Sequence, residues 1–309
     1  MIFCREKLLP GEYRAIPIPV PGGEAVEAHV FCGAAPGRTL VLTAGVHGCE
    51  YVGIQTLRRL VRELDPAVMS GNVVLVPLAN SGGFYAGLKQ FVPEDGVNLN
   101  RAFPGSAEKS LAYRIAFALE QALYPVADFL ADLHGGDGNQ ELMPLVFFPT
   151  AGESHVNQTA LEAAKCLTVP YRVRSTAVDG LYSWAVQKGV PAMLIERGGA
   201  GRWSEEEVAA CREDVYSLLR HMKILPGDIP ARSQTEIVEA VYEDASCNGF
   251  WLPFTRANAP VRKGELLGCL ETCGGQTLAE VRARFDGVVM YHTFALGVRA
   301  GDSLVAYGR

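Results

Sequence analysis

The sequence predicts an α/β protein with a mixed, mostly parallel sheet, helices on both faces, and a small C-terminal all-β domain. Segments typical of strands alternate with segments of helical spacing over the first two thirds of the 309 residues. Residues 39–46 and 72–78 are continuous apolar runs, as expected of strands that are buried on both faces. Beyond about residue 225 the glycine-rich sequence holds short β-type runs and no convincing helix.

The elements of the first part can be assigned in order along the chain. Residues 23–32 alternate as a strand does, and residues 39–46 form the first buried strand. A helix over residues 51–64 is predicted by apolar side chains at helical spacing. The remaining expected elements are strand 72–78, helix 107–124, strand 129–133, strand 145–148, helix 154–167, strand 192–195 and helix 204–222.

The C-terminal part begins after the turn-rich segment ILPGDIPARSQ, and we divide the chain into residues 1–228 and 229–309. A unit V-x-x-G-[DE]-x-L occurs twice in the second part, starting at Val261 and at Val298. Such a repeat is typical of the barrel-sandwich fold of biotinyl and lipoyl carrier domains. The Met-Lys-Met turn that those carriers modify is missing from the sequence, so a structural or gating role is the better interpretation.

Composition excludes several classes of function. The formal net charge is -6 and there is no basic block, which argues against nucleic acid as a partner. No apolar run reaches the length of a membrane span. The first residues lack the apolar core of a secretion signal, and the eight cysteines are scattered, so we expect a cytoplasmic protein with reduced thiols.

The stretch TLVLTAGVHGCEYVG, residues 39–53, contains a candidate half of a metal site. His47 and Glu50 follow a buried strand and lie about one turn apart if a helix begins near Glu50. The spacing alone is weak support, because His134 and Asp137 repeat it by chance. The case therefore depends on what stands at the ends of the other strands.

Two more strands end on polar residues. His134 ends the strand 129–133, and Glu196 ends the strand 192–195. Open α/β sheets bind ligands beyond the carboxyl ends of their strands. His47, Glu50 and His134 would make a zinc site with one position left for water, and a nearby carboxylate could take a proton from that water. Cys49 within the motif is interpreted as a packing residue rather than a ligand.

A polar loop at residues 93–105 carries Arg101 beside Asn100. The guanidinium fork suits pairing with a carboxylate, and an amide can add a donor. The alternatives are structural: an ordinary salt bridge for Arg101, and an ion pair with Arg197 or another basic group for Glu196. The histidines outside the motifs are treated as structural.

Four motifs together resemble a known family. They are GVHGCE at 45–50, NLNRAFPG at 98–105, DLHGG at 132–136 and IERGG at 195–199. In this order they resemble the succinylglutamate desuccinylase/aspartoacylase group of zinc hydrolases, which is related to the zinc carboxypeptidases. The resemblance spans roughly residues 33–222, and the β-rich tail is similar to the C-terminal module of these enzymes. It implies a zinc-carboxypeptidase-like sheet.

The resemblance also implies roles for single residues. His47, Glu50 and His134 would be the ligands of one Zn²⁺ per chain. Glu196 would be the general base and acid. A pair that grips the carboxylate of the substrate would consist of Asn100 and Arg101.

The sequence departs from the family just before the NLNR motif. The family often has an arginine there that polarises the scissile carbonyl, and this chain has Gln90 at about that place, so Gln90 is a candidate substrate-binding residue beside Asn100 and Arg101. Lys89 is a second candidate for the role, although lysine lacks the fork geometry of arginine.

The expected activity is zinc-dependent hydrolysis of the amide bond of an N-acyl amino acid or a related small amide. Two alternatives remain: a metallocarboxypeptidase acting on peptides, and a non-catalytic binding protein on the same scaffold. We expect a small-molecule substrate and neither nucleic acid nor membrane as a partner. The oligomeric state is left open, with a homo-oligomer among the options.

Overall fold

A computed structural model describes residues 1–87 and 90–309 of the chain. The helices in these ranges are α1 (Tyr51–Glu63), α2 (Ser81–Tyr85), α3 (Leu111–Leu123), α4 (Ser154–Ala164), α5 (Leu181–Gln187) and α6 (Glu205–His221). Single turns of 3-10 helix cover Pro66–Val68, Leu99–Arg101 and Tyr124–Val126.

The strands of the first part are β1 (Ile2–Phe3), β2 (Glu6–Lys7), β3 (Tyr13–Ile18), β4 (Val26–Cys32), β5 (Ala35–Ala44), β6 (Ser70–Val76), β7 (Phe129–His134), β8 (Gln140–Leu142), β9 (Leu145–Pro149), β10 (Tyr171–Ser175) and β11 (Ala192–Glu196). The later strands are β12 (Thr235–Ile237), β13 (Ala240–Asp244), β14 (Gly249–Pro253), β15 (Pro260–Val261), β16 (Leu266–Glu271), β17 (Thr277–Arg282), β18 (Gly287–Thr293), β19 (Gly297–Val298) and β20 (Ser303–Gly308).

Nine strands form one mixed sheet in the order β12-β10-β9-β11-β7-β5-β6-β4-β3. The pairs β12–β10, β10–β9, β11–β7, β7–β5 and β5–β6 are parallel. The pairs β9–β11, β6–β4 and β4–β3 are antiparallel. The predicted mixed, mostly parallel sheet is therefore confirmed.

Helices cover both faces of this sheet, as predicted. Successive side chains of a strand point to opposite faces. In β5, Leu42 packs in one core with Leu57 of α1 and Leu218 of α6. Its neighbour Val41 packs in a second core with Leu119 of α3. The central strand is thus buried on both sides, which explains its unbroken apolar sequence.

Some elements differ from the sequence prediction for identifiable reasons. The helix expected from residue 107 begins only at Leu111, because Ser110 is still extended. Strand β10 was not predicted, since Arg172 and Arg174 interrupt its apolar pattern. Both arginines pair with Glu236 of the neighbouring β12, which satisfies their charge at this edge of the sheet.

Apart from β12, the strands of the C-terminal part form two antiparallel sheets, which confirms the predicted all-β character. One has the order β13-β20-β18-β15, and the other β17-β16-β14-β19. The core of this part is shared by both sheets and includes Trp251, Leu270, Val289, Leu304 and Tyr307.

The repeated V-x-x-G-[DE] unit folds into the same turn twice. Gly264 and Gly301 both have positive φ, 85° and 87°. In the first turn the backbone N–H of Arg262 donates to Glu265 Oε2 at 2.8 Å. In the second, the N–H of Arg299 donates to Asp302 Oδ2 at 2.8 Å. The glycine permits the left-handed conformation, and the acid closes the turn.

Each of the two parts of the chain contributes one strand to a sheet of the other part. Strand β12 lies beyond residue 228, yet it pairs with β10 at the edge of the large sheet. Strand β8 follows β7 but pairs with β18 of the C-terminal part. The division after residue 228 stays a prediction, since each part completes a sheet of the other.

Within the described ranges, no helix combines the length and the apolar character needed to cross a membrane.

A buried ion pair fixes the chain just after β11. The Arg197 Nε donates to Asp214 Oδ2 of α6 at 2.6 Å, and Arg197 Nη2 donates to Thr168 Oγ1 at 2.7 Å. The other carboxylate oxygen of Asp214 accepts from the backbone N–H of Thr168 at 2.6 Å. Arg197 and Asp214 are both buried, so each neutralises a charge that would be costly alone.

We predict that Asp214→Ala lowers the free energy of unfolding by about 3–5 kcal/mol, because the buried guanidinium of Arg197 loses its close partner and keeps only Thr168 and the carboxylate of Glu207 at 3.8 Å. Urea denaturation measures this change. Glu205→Ala is the matched control: it removes the partner of Arg59 in an exposed ion pair and should change stability far less. Equal losses in both variants would contradict the prediction.

Candidate active site

The carboxyl ends of three neighbouring parallel strands lie on the same side of the sheet. Strand β7 lies between β5 and β11, and the three strands run in one direction. The register places Glu196 of β11 directly beside His134 of β7, while Ala44 of β5 lies beside Leu133. The residues predicted at the strand ends are therefore brought to one place.

A tight turn carries His47 and Glu50 from the end of β5 into helix α1. Gly45 has a φ of 65°, which favours glycine, and the N–H of Glu50 bonds to the carbonyl of His47 at 3.3 Å. At Gly48 a Cβ atom would lie 2.3 Å from the backbone nitrogen of Phe84. The motif needs glycine at this position because the chain after β6 packs against it.

Glu50 connects the two histidines. Its Oε1 lies 2.6 Å from His47 Nδ1, and its Oε2 lies 3.0 Å from His134 Nδ1. The same Oε2 accepts a hydrogen bond from the backbone N–H of Gly135 at 3.1 Å. One potential ligand atom from each of His47, Glu50 and His134 lies within 4.8 Å of the others.

The far nitrogens of both imidazoles face oxygen acceptors. His134 Nε2 lies 2.8 Å from Asp132 Oδ2, and Asp132 Oδ1 accepts from Thr43 Oγ1 at 2.6 Å. His47 Nε2 lies 3.2 Å from Asn98 Oδ1. These acceptors call for a proton on each Nε2, so each Nδ1 that faces Glu50 either carries a second proton or directs its lone pair at a cation bound between the ring and the carboxylate.

The charges of the cluster favour a bound cation. Burial opposes ionisation of Glu50, but the two histidines lower its pKa to about 2. Burial also favours neutral His134, yet Asp132 and Glu50 raise the pKa of the ring well above its usual value. Two imidazole nitrogens and a carboxylate in a buried position form a donor set that fits zinc.

Glu196 lies beside this cluster, and one of its carboxylate oxygens accepts no hydrogen bond from the described residues. Its Oε2 is buried and has no hydrogen-bond partner among the residues that the structure describes. Burial raises the pKa of Glu196 well above its usual value, and the negative charge of Glu50 adds to the rise. Arg197 does not neutralise it, because the guanidinium binds Asp214 instead. The ion-pair alternative for Glu196 is therefore not what the structure shows.

Cys49 lies inside the motif but is held as a thiol. Its Sγ is 3.5 Å from Asp137 Oδ1, and the residue is buried. Burial and the nearby charge of Asp137 raise the pKa of the thiol to about 12. Cys49 also lies outside the group of residues that could hold a metal ion, which supports a packing role.

Asn100 and Arg101 lie on the 3-10 turn Leu99–Arg101 near the start of α5. Asn100 is buried, and its Oδ1 accepts from the N–H of Leu181 at 2.9 Å. The Arg101 side chain is mostly exposed, with Nη1 donating to the carbonyl of Asn100 at 3.0 Å. Arg101 Nε lies 3.9 Å from Asp179 Oδ2. Asn100 thus joins the loop to α5, while the head group of Arg101 remains accessible.

Comparison with known proteins decides the family. Residues 36–222 match a model described as the succinylglutamate desuccinylase/aspartoacylase catalytic domain, which is more than half of the chain. The chain belongs to the succinylglutamate desuccinylase/aspartoacylase family. The resemblance of the four sequence motifs is thereby confirmed.

Individual relatives of this family member agree in sequence and fold. The N-alpha-acetyl-L-2,4-diaminobutyric acid deacetylase of Halomonas elongata is 30% identical over 279 residues, covering 87% of this chain and 81% of that protein. The product-bound structure of the ectoine utilization protein EutE (DoeB) from Ruegeria pomeroyi superposes with a TM-score of 0.85 at 26% identity, covering 96% and 94% of the two chains. A succinylglutamate desuccinylase/aspartoacylase from Rhodobacter sphaeroides has the same fold, with a TM-score of 0.87, 24% identity and coverage of 100% and 98%. The family supports amide deacylation as the chemistry.

Gln90 of this family member belongs to the network behind His47. Its Oε1 accepts from Asn98 Nδ2 at 3.0 Å, and Asn98 Oδ1 faces His47 Nε2. Asn98 Oδ1 also accepts from the N–H of Asn100 at 2.9 Å. Asn98, the first residue of the NLNR motif, was not singled out from the sequence, although its motif was. Lys89 lies outside the described residues.

Three tyrosines near Glu196 complete the surroundings of the site. Burial raises the pKa of Tyr242 to about 12, and the charge of Glu196 adds to the rise. Burial and then neighbouring charges, Glu196 among them, also raise the pKa of Tyr182 and of Tyr291. Tyr242 lies on β13 and Tyr291 on β18, and β18 pairs with β8, the strand that follows β7. No local sequence signal marked these two residues.

Proposed function

We propose that the protein is a zinc-dependent deacylase that hydrolyses the amide bond of an N-acyl amino acid. The observation that carries the proposal is the convergence of His47 Nδ1, His134 Nδ1 and the Glu50 carboxylate beside the uncommitted oxygen of Glu196. His47, Glu50 and His134 would hold one zinc ion. When bound, zinc acts as a Lewis acid on the scissile carbonyl and lowers the pKa of water to about 7.

Glu196 would transfer the proton. In its ionised form the carboxylate accepts a proton from the attacking water, and it then returns that proton to the leaving amine. The raised pKa of Glu196 favours the protonated form that the second step requires. Its free Oε2 supports this role, because proton transfer needs an oxygen that is not already held by a structural hydrogen bond.

Arg101 would bind the carboxylate of the substrate. The guanidinium presents paired donors that match a carboxylate, and its head group is open to solvent. Asn100 would share in this binding through its side-chain amide, and its Oδ1, which accepts from the N–H of Leu181 at the start of α5, fixes the turn that carries Arg101.

The C-terminal part favours a small substrate. Strand β18, which carries Tyr291, pairs with β8, and β8 begins shortly after His134, so the C-terminal sheets would border the reacting centre. A long peptide would have to displace this border. The relative from Halomonas elongata, named as a deacetylase of an acetylated amino acid, agrees with a small amide.

His47→Ala and His134→Ala are each predicted to lose most of the zinc that the purified wild-type protein binds, because two donors cannot hold the ion tightly. Elemental analysis after dialysis measures the content. His155→Ala is the control, since His155 is an exposed histidine on α4. Full zinc occupancy in both site variants would refute the ligand assignment.

For Glu196→Gln we predict retained zinc and a turnover number reduced by about 10²–10⁴-fold, since the amide cannot accept the proton. Zinc content and the initial rate of amine release are measured on the same preparation. Glu205→Gln, an exposed change of the same kind, should leave both values near those of the wild type. A rate near wild type for Glu196→Gln would exclude it as the base.

The zinc-loaded protein should release amine from N-acyl amino acids much faster than it releases C-terminal residues from peptides. A panel of both substrate types, read by an amine-specific reagent, tests this expectation. Faster cleavage of peptides would indicate a carboxypeptidase. Tight binding of an N-acyl amino acid without turnover would indicate a non-catalytic protein.

A further inference from the structure

An open charge pair stands next to the proposed carboxylate site. Asp179 Oδ2 lies 3.9 Å from Arg101 Nε, and the two side chains are 53% and 59% exposed. Charge-assisted hydrogen bonds are about 2.7–2.9 Å long, so Arg101 Nε and this oxygen of Asp179 do not form a hydrogen bond. Exposed ion pairs of this kind contribute little to stability. Both groups therefore remain available to ions of opposite sign.

The backbone holds Asp179 in its place beside Arg101. Leu181, which follows Gly180, donates to Asn100 Oδ1, and a Cβ atom at Gly180 would lie 2.7 Å from that same oxygen. The N–H of Gly180 also donates to Ser183 Oγ at 2.8 Å. The segment before α5 is thus locked against the 3-10 turn that carries Arg101.

The same corner is connected to the reacting centre through Asn98. Asn98 Oδ1 lies 3.2 Å from His47 Nε2 and accepts from the N–H of Asn100 at 2.9 Å. Arg101 follows Asn100 on the same 3-10 turn, so the turn is anchored beside a proposed zinc ligand. A substrate with its amide at this cluster and its carboxylate on Arg101 would bring its side chain near Asp179.

We propose that Asp179 is a specificity-determining residue that receives a positively charged side chain of the substrate. This inference rests on the proposed function. With its carboxylate on Arg101, an N-acyl amino acid that carries an ammonium group can place that group beside Asp179. A second carboxylate at the same position would meet the like charge of Asp179 and be repelled.

The test uses three substrates with one carbon skeleton: Nα-acetylornithine, N-acetylnorvaline and N-acetylglutamate, whose side chains are positive, neutral and negative. We expect wild-type kcat/KM to fall in that order. In Asp179→Asn, kcat/KM for the ornithine derivative should fall about five- to tenfold, mainly through KM, as expected for one partly exposed ion pair. The value for the norvaline derivative should stay unchanged, and that for the glutamate derivative should rise.

Asp228→Asn is the matched control, because it removes one exposed aspartate charge far from the site. The nearby Ile224 bonds to Ser70 at the start of β6, which is the opposite edge of the sheet. This variant should keep the wild-type order and values.

An equal fall for all three substrates in Asp179→Asn would overturn the proposal, since Asp179 would then act only by orienting Arg101. Unchanged values for all three would overturn it as well. If the wild type hydrolyses none of these acetyl compounds, calorimetric binding of the same compounds tests Asp179 separately from the proposed function. Tighter binding of the ornithine derivative, lost in Asp179→Asn, would support the role. Equal binding would refute it.

Discussion

The carboxylate of Glu50, shared between two imidazoles, is the interaction on which the rest of the site depends. A buried carboxylate is unfavourable unless it is paired, and here His47, His134 and the N–H of Gly135 all contact it. The pairing requires β5 and β7 to be adjacent and parallel, and it requires a turn small enough to return Glu50 toward β7. Asp132 and Asn98 then orient the rings from behind. Sheet order, turn glycines and charges therefore support a single geometry.

Much of this arrangement could be predicted from the sequence because its signals are local. Continuous apolar runs indicated β5 and β6, and polar residues at strand ends located His47, Glu50, His134 and Glu196. Parallel pairing then brings such ends together without any knowledge of long-range contacts. The turn formed by the repeated V-x-x-G-[DE] unit could also be predicted, since the Asp or Glu of the unit accepts a hydrogen bond from a backbone N–H only three residues earlier.

The parts that escaped prediction depend on contacts between distant segments. Tyr242 and Tyr291 belong to strands of the C-terminal part, and nothing near them in sequence points to Glu196. Strands β8 and β12 have three residues each, too few for a periodic pattern. In β10 two arginines interrupt the apolar pattern of a strand. They are stabilised there because both pair with Glu236, more than sixty residues later. In each case the tertiary partner, not the local sequence, decides the structure.

The exchange of β8 and β12 has a consequence for how the chain can change during evolution. The segment that follows His134 is a strand of the C-terminal sheet, where His292 also lies 3.1 Å from Glu141. A C-terminal part taken from another protein would fit only if it came with compatible residues at 140–142 and 235–237. The two parts are therefore expected to be inherited together, and recombination between them would be selected against even where it leaves His47, Glu50 and His134 intact.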